Sequence, residues 1–375
     1  MKRHTIWLVA ILMFSFVAGA QAQMDALDAL KKQVEQLQDQ LKAALEQIAE
    51  IEAKQAAPPP APKEKWSDKL SISGYFHARY EAREDTIDDF FIRRLYVNLI
   101  GNWNDRAQSV ITFGRVGPED PKIDLEVAMV NYKFADDWTF TFGQAPNFFG
   151  WDTAESSSKR LPFDRWAAGE GIPGRTGRPG IRGLYFAGPW DRGMYVTRHS
   201  QGSDEPTVIL GLVNGNFRNS DNDNNKVWSA DLKWKQGWGQ FGASYLDGKY
   251  TEVPPGSAAG TAPVTQPRRA LGLFVHTDPT PFGFQGEFLD GEMFGKDVQG
   301  WYGQVAYNKG GPGTPYFRYE QFDQDQDTMG NTFVGWRLGY AYQVDKNNEV
   351  TLEINDAHSG MVDYGQLGAQ WQVAF

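Results

Sequence analysis

The sequence has no cysteine, which excludes disulfides and thiolate metal centres from any account of its stability or chemistry. Histidine is scarce, at five in 375 residues. Beyond His4 these are His77, His199, His276 and His358, spread over separate runs with no G-x-S-x-G motif or metal-ligand spacing. No enzyme is read from them, and no cofactor is implied. Positive charge is not in excess either: 37 Lys and Arg stand against 47 Asp and Glu, a net charge of -10 that argues against a nucleic-acid partner. Long apolar runs occur only at the start. Met1 to Ala22 has Lys2 and Arg3, an apolar run from Ile6 to Val17, then Ala20 and Ala22. This reads as a secretory signal peptide over 1–22, because the run is short of the roughly 20 residues that span a bilayer.

A negative mean hydropathy does not exclude a membrane location. Strands with one face to lipid and one to water average to a polar value. What the sequence has in abundance, 40 Gly and 14% aromatics, suits tilted strands with interfacial girdles.

Three segments follow the leader. Over 23–55, Leu27, Leu30, Val34, Leu37, Leu41, Ala44, Ile48 and Ile51 alternate spacings of three and four among charged and amide residues. This a/d seam predicts an α-helical coiled coil, hence self-association, without choosing between two and three strands. The Pro-rich stretch 56–67 cannot continue a helix and reads as an extended spacer. From 68 to 375 the chain breaks into strand-like runs bounded by turn residues, among them 90–103, 138–144, 181–187, 299–308 and 332–344. Met194 to Arg198 is a weaker candidate, left out of a total of sixteen. Tight turns such as ADD at 135–137 and DKNN at 345–348 contrast with long polar connections at 146–178, 217–226 and 249–267. The pattern predicts an all-β fold, a transmembrane antiparallel β-barrel of about 16 strands.

Alternation assigns the faces. Trp336, Leu338, Tyr340 and Tyr342 point to lipid, while Gly335, Arg337, Gly339 and Ala341 point inward. Arg79, Arg94 and Lys233 share the inner face, with Glu287, Glu320 and Glu353, because a Lys or Arg facing lipid at mid-depth costs about 2 to 4 kcal/mol. The final run, LGAQWQVAF, alternates up to Phe375, as expected of a closing strand that pairs with the first.

The stretches FFIRRLYVNLIGNWND (90–105), VNYKFADDWTFTFGQAPNFFGWDTAESSS (130–158), RPGIRGLYFAG (178–188) and ILGLVNGNF (209–217) resemble, in order, the motifs of the phosphate-selective porin O and P family. The added coiled coil is similar to a branch that takes up dicarboxylates. The resemblance implies a trimeric, sixteen-stranded outer-membrane channel for small anionic solutes such as phosphate or carboxylates, with the coil in the periplasm of a Gram-negative bacterium. It further implies that loop 146–178 narrows the pore and that Phe375 is read by the outer-membrane insertion machinery. Between Trp151 and Arg182 the cations Lys159, Arg160, Arg165, Arg175, Arg178 and Arg182 outnumber Asp152, Glu155, Asp164 and Glu170, and such a balance favours anions. The expected selectivity residues are therefore Arg79, Arg94, Lys159, Arg160, Arg165, Arg175, Arg178, Lys233 and Arg337. Any one loop arginine has even odds of being a structural partner of a wall carboxylate instead. DQDQD at 323–327 reads as a solvated acidic loop rather than a Ca²⁺ loop, and the alternative to a channel is a barrel that serves only to anchor a coiled-coil tether to the cell wall.

Overall fold

The computed structural model describes residues 38–43, 45–47, 67, 69–84, 87–116, 122–172, 181–185, 189–253, 260–278, 280–359 and 363–375. The chain divides into two units, Met1–Glu64 and Lys65–Phe375. In the first, residues 38–43 and 45–47 are α-helical. The signal peptide, the rest of the expected coiled coil and all but Ser67 of the Pro-rich spacer lie outside the described residues. No helix among the described residues is long and apolar enough to cross a membrane, which says nothing of a β-barrel.

The second unit is a closed barrel of sixteen antiparallel strands, each paired with its neighbours in sequence and β1 paired with β16. In order these are β1 (Leu70–Arg83), β2 (Asp89–Asn102), β3 (Ala107–Val116), β4 (Asp124–Ala135), β5 (Trp138–Pro146), β6 (Trp190–Arg198), β7 (Thr207–Val213), β8 (Val227–Gln236), β9 (Gly239–Glu252), β10 (Val264–Thr277), β11 (Phe282–Met293), β12 (Lys296–Tyr307), β13 (Gly313–Asp323), β14 (Phe333–Asp345), β15 (Asn348–His358) and β16 (Asp363–Ala374). Closure is completed at the last residue, where Gly74 N donates to Phe375 O at 2.9 Å and Phe375 N donates back to Gly74 O at 3.0 Å.

The period-two pattern explains the faces. Along β14, Leu338, Tyr340 and Tyr342 are exposed on the outside, while Arg337 and Ala341 are buried inside. Along β13, Phe317 faces out and Tyr316, Arg318 and Glu320 face in. One end carries tight turns such as 136–137 and 346–347, and the other carries long loops. The exception at the loop-rich end is the two-residue turn of Phe294 and Gly295, both at positive φ (58° and 74°), a pairing whose twist matches the flanking strands.

One expected strand is replaced. Of the expected run 181–187, the described residues 181–185 are not a wall strand: Ile181 forms only an isolated bridge with Ile172, and β6 at Trp190–Arg198 fills the place beside β5. The apolar character of Ile181, Leu184 and Tyr185 serves a different purpose, since all three are buried with Phe149, Trp166, Tyr195, Phe217, Leu289 and Phe322 in a hydrophobic cluster. The connection between β5 and β6 thus runs over 147–189, a longer span than the 146–178 expected, and its described residues 147–172 and 181–185 pack against the inner wall.

With Leu338 on the lipid face, Leu338→Arg should lower the folding stability by about 2 to 4 kcal/mol if it sits near mid-depth. Equilibrium refolding into lipid vesicles against denaturant checks this. A shift below 0.5 kcal/mol, the scatter of ordinary surface substitutions, would place Leu338 against water.

Candidate pore constriction

A loop folded into a lumen must satisfy its backbone polar groups there. The barrel wall supplies partners of both signs. On the donor side of the loop, Gly150 N donates to Ser244 Oγ at 2.9 Å and Trp151 N to Glu287 Oε1 at 2.7 Å, and Asp152 N donates to the same carboxylate oxygen. Phe163 N donates to Glu353 Oε2 at 3.1 Å, and Ala167 N, opening the single helical turn Ala167–Glu170, donates to Glu320 Oε2 at 2.8 Å. On the acceptor side, Arg337 donates to Asp164 O (2.6 Å) and Arg165 O (3.2 Å), Gln372 to Ser158 O (3.1 Å), and Arg268 to Leu184 O (2.9 Å).

Side-chain pairs reinforce these bonds. Arg318 and Asp152, both fully buried, meet at 3.0 Å. Asp164 receives Arg79 at 2.8 Å, Arg93 at 2.8 Å and Arg94 at 3.6 Å, and Arg94 also lies 3.7 Å from Glu170. The wall is hollowed where the loop approaches: a Cβ at Gly300 would lie 2.9 Å from Ala168 Cβ, and one at Gly368 would collide with the Phe163 ring. These contacts fall on β1, β2, β9 to β11 and β12 to β16. The inner faces of β2 to β5 instead carry a hydroxyl–amide ladder, in which Thr112 donates to Asn98, Asn131 to Gln108, and Thr141 to Asn131.

The expected selectivity residues separate into groups. Arg79, Arg94 and Arg337 are buried on the inner wall and hold the loop. Lys233 pairs with Asp231 at 2.9 Å. Arg165 serves the loop itself, donating to Asp152 O and Glu155 O (each 3.1 Å) and pairing with Glu170 at 3.3 Å. Lys159 is exposed. Arg160 gives Nη2 to Ser157 Oγ at 2.8 Å, but its Nε and Nη1 are buried with no hydrogen-bond partner among the described residues. Arg175 and Arg178 lie outside the described residues. Sequence reasoning missed Arg93 and Arg268. Arg93 occupies a β-bulge opposite His77 and Ala78, which brings two consecutive arginines to the inner face against simple alternation. A signal was present, since strict alternation would have put one of them against lipid.

The loop's charges are set by one another. Burial pushes Asp152 up, but Arg318, Arg160 and Arg165 outweigh it and hold the carboxyl at about 2. Glu170 likewise ends at about 2 through Arg165, Arg94 and Arg93. Glu155 is the opposite case: burial and then Asp152 raise it to about 7 against Arg160, Arg318 and Lys159. Burial, Arg165 and Arg94 lower Arg160 to about 9, so it stays protonated at neutral pH.

Among the described residues there is no cluster of three or more potential metal ligands. In the DQDQD stretch, Asp325 pairs with Lys296 at 2.6 Å.

Two outcomes are expected. Asp164→Asn removes the carboxylate shared by Arg79, Arg93 and Arg94, so single-channel current should become noisier as the loop loosens; traces as quiet as the parent's would show that the backbone bonds alone hold it. Raising the pH through about 7 ionises Glu155 and adds a negative charge, so the reversal potential under a salt gradient should shift toward cations between pH 5.5 and 8.5 in the parent and shift less in Glu155→Gln; equal shifts in both would show that Glu155 does not act on the ion path.

Residues 73–182 match the family described as phosphate-selective porin O and P. No curated protein matches the sequence. Among solved structures, OmpT of Vibrio cholerae in its trimer form superposes with a TM-score of 0.59 at 11% identity, covering 82% of this chain and 99% of that one. An anion-selective porin from Comamonas acidovorans gives 0.55 at 12% identity, with 82% and 99% covered. A mutant of the Rh. blastica porin gives 0.56 at 13% identity, with 82% and 100% covered. The chain therefore has the porin fold, and over residues 73–182, which include most of the connection between β5 and β6, it carries the sequence pattern of the phosphate-selective porins O and P.

Proposed function

We propose that this protein is an outer-membrane porin that passes small solutes through a water-filled channel and favours anions such as phosphate or small carboxylates. One observation carries the reading: Arg160 sits in a loop folded into the lumen with two buried guanidinium nitrogens that have no hydrogen-bond partner among the described residues. A guanidinium is charged at any physiological pH and offers a planar fork that fits carboxylate or phosphate oxygens. The surrounding carboxylates Asp152, Asp164 and Glu170 are engaged with arginines, so they offset Arg160 less than a simple count suggests. The neutral ladder of Asn98, Thr112, Asn131 and Thr141 supplies hydrogen bonds to a hydrated solute without opposing its charge. Assembly as a homotrimer fits the trimeric state of the OmpT neighbour. The insertion role of Phe375 and the periplasmic placement of the coil belong to the same proposal.

Purified protein in a planar bilayer under a KCl gradient tests it. Stepwise openings with a reversal potential of anion-selective sign are expected, and Arg160→Gln should move that potential toward zero. Closed traces would favour the tether reading. Cation preference would overturn the anion assignment.

A further inference from the structure

One hollow in the barrel stands beside the loop's anchoring contacts. It lies between the loop residues Glu155, Lys159 and Leu161 and the inner wall of β10 to β12, near the tight-turn end. His276 forms one side, and its ring stacks on Trp151 with centroids 4.1 Å apart and planes at 13°. The stacking fixes the imidazole, so the pair forms a flat aromatic wall. Leu161 and Ala306 add apolar surface. Gln285 and Gln304 supply amides held in place by neighbours: Gln285 Nε2 donates to Tyr302 Oη at 2.8 Å, and Arg318 Nε donates to Gln304 Oε1 at 2.9 Å. Lys159 stands at the edge, exposed and in no ion pair among the described residues.

We propose that this hollow is a second solute subsite, suited to a small aromatic carboxylate whose ring lies against His276 and Leu161 and whose carboxylate meets Lys159. The proposal rests on the reading of the barrel as an anion-passing channel. Phosphate or acetate brings the charge but has little apolar surface to bury, and a neutral aromatic brings the ring without a partner for the ammonium. Glu155 on the same rim, raised to about 7 by burial and Asp152, carries less than a full charge at neutral pH and so opposes a carboxylate only in part.

Calorimetric titration of the full-length protein in detergent, with sodium benzoate, sodium acetate and benzyl alcohol as probes, needs no conductance. Benzoate should bind roughly tenfold more tightly than either of the others. Leu161→Ser should bring benzoate down toward acetate, and Lys159→Gln should bring it down toward benzyl alcohol. Equal affinities for benzoate and acetate, or benzoate binding untouched by both variants, would overturn the subsite. In bilayers, a protein that conducts anions without preferring benzoate loses the subsite alone. One that binds benzoate and never conducts loses the porin reading instead.

Discussion

The structure depends on how a peptide loop can be buried inside a barrel. Every N–H and C=O taken from water must find a partner, and an unmet one costs about as much as a lost hydrogen bond. In this lumen the partners are largely charged side chains fixed on strands: Glu287, Glu320 and Glu353 accept from the loop's N–H groups, while Arg337 and Arg268 donate to its C=O groups. Charge-assisted bonds of this kind are about twice as strong as neutral ones. The mixed sign of the lumen follows from this requirement, because a loop backbone presents donors and acceptors alike.

The same requirement constrains conduction. Charges that hold the loop are compensated at short range and contribute little field along a path for ions. Arg79, with Glu81, Asp164 and the Phe163 carbonyl around it, is a strut. Arg318, facing Asp152 in full burial, is another. Selectivity then falls to the few groups left uncompensated, and local charge balance is a poor guide to it unless each pair is taken out first.

Much of the barrel was legible from period two, because lipid on one side and water on the other penalise any register slip. The run LGAQWQVAF, read as a closing strand, pairs with β1 along its length. Where reading failed, a second environment had been overlooked. Ile181, Leu184 and Tyr185 belong to a short apolar run that reads as a wall strand, but their apolar surface is buried against an inward loop and the wall's inner side. The strand Trp190–Arg198 is weak in the sequence because Arg192 interrupts the outer face that carries Met194 and Val196. Inner positions of Arg79, Arg94, Lys233 and Arg337 follow from alternation, and Lys233 finds Asp231 on its own strand, whereas the loop partners of Arg79, Arg94 and Arg337 depend on a path that no local pattern encodes.

The Arg93–Arg94 pair shows how these constraints meet at one place. Two adjacent arginines cannot both face water in a regular strand that borders lipid. A bulge opposite His77 and Ala78 resolves the conflict by adding one residue to β2, and both guanidiniums then reach Asp164. The irregularity in the strand and the anchoring of the loop are thus one feature: the bulge permits the extra cation, and the loop carboxylate gives that cation a reason to point inward.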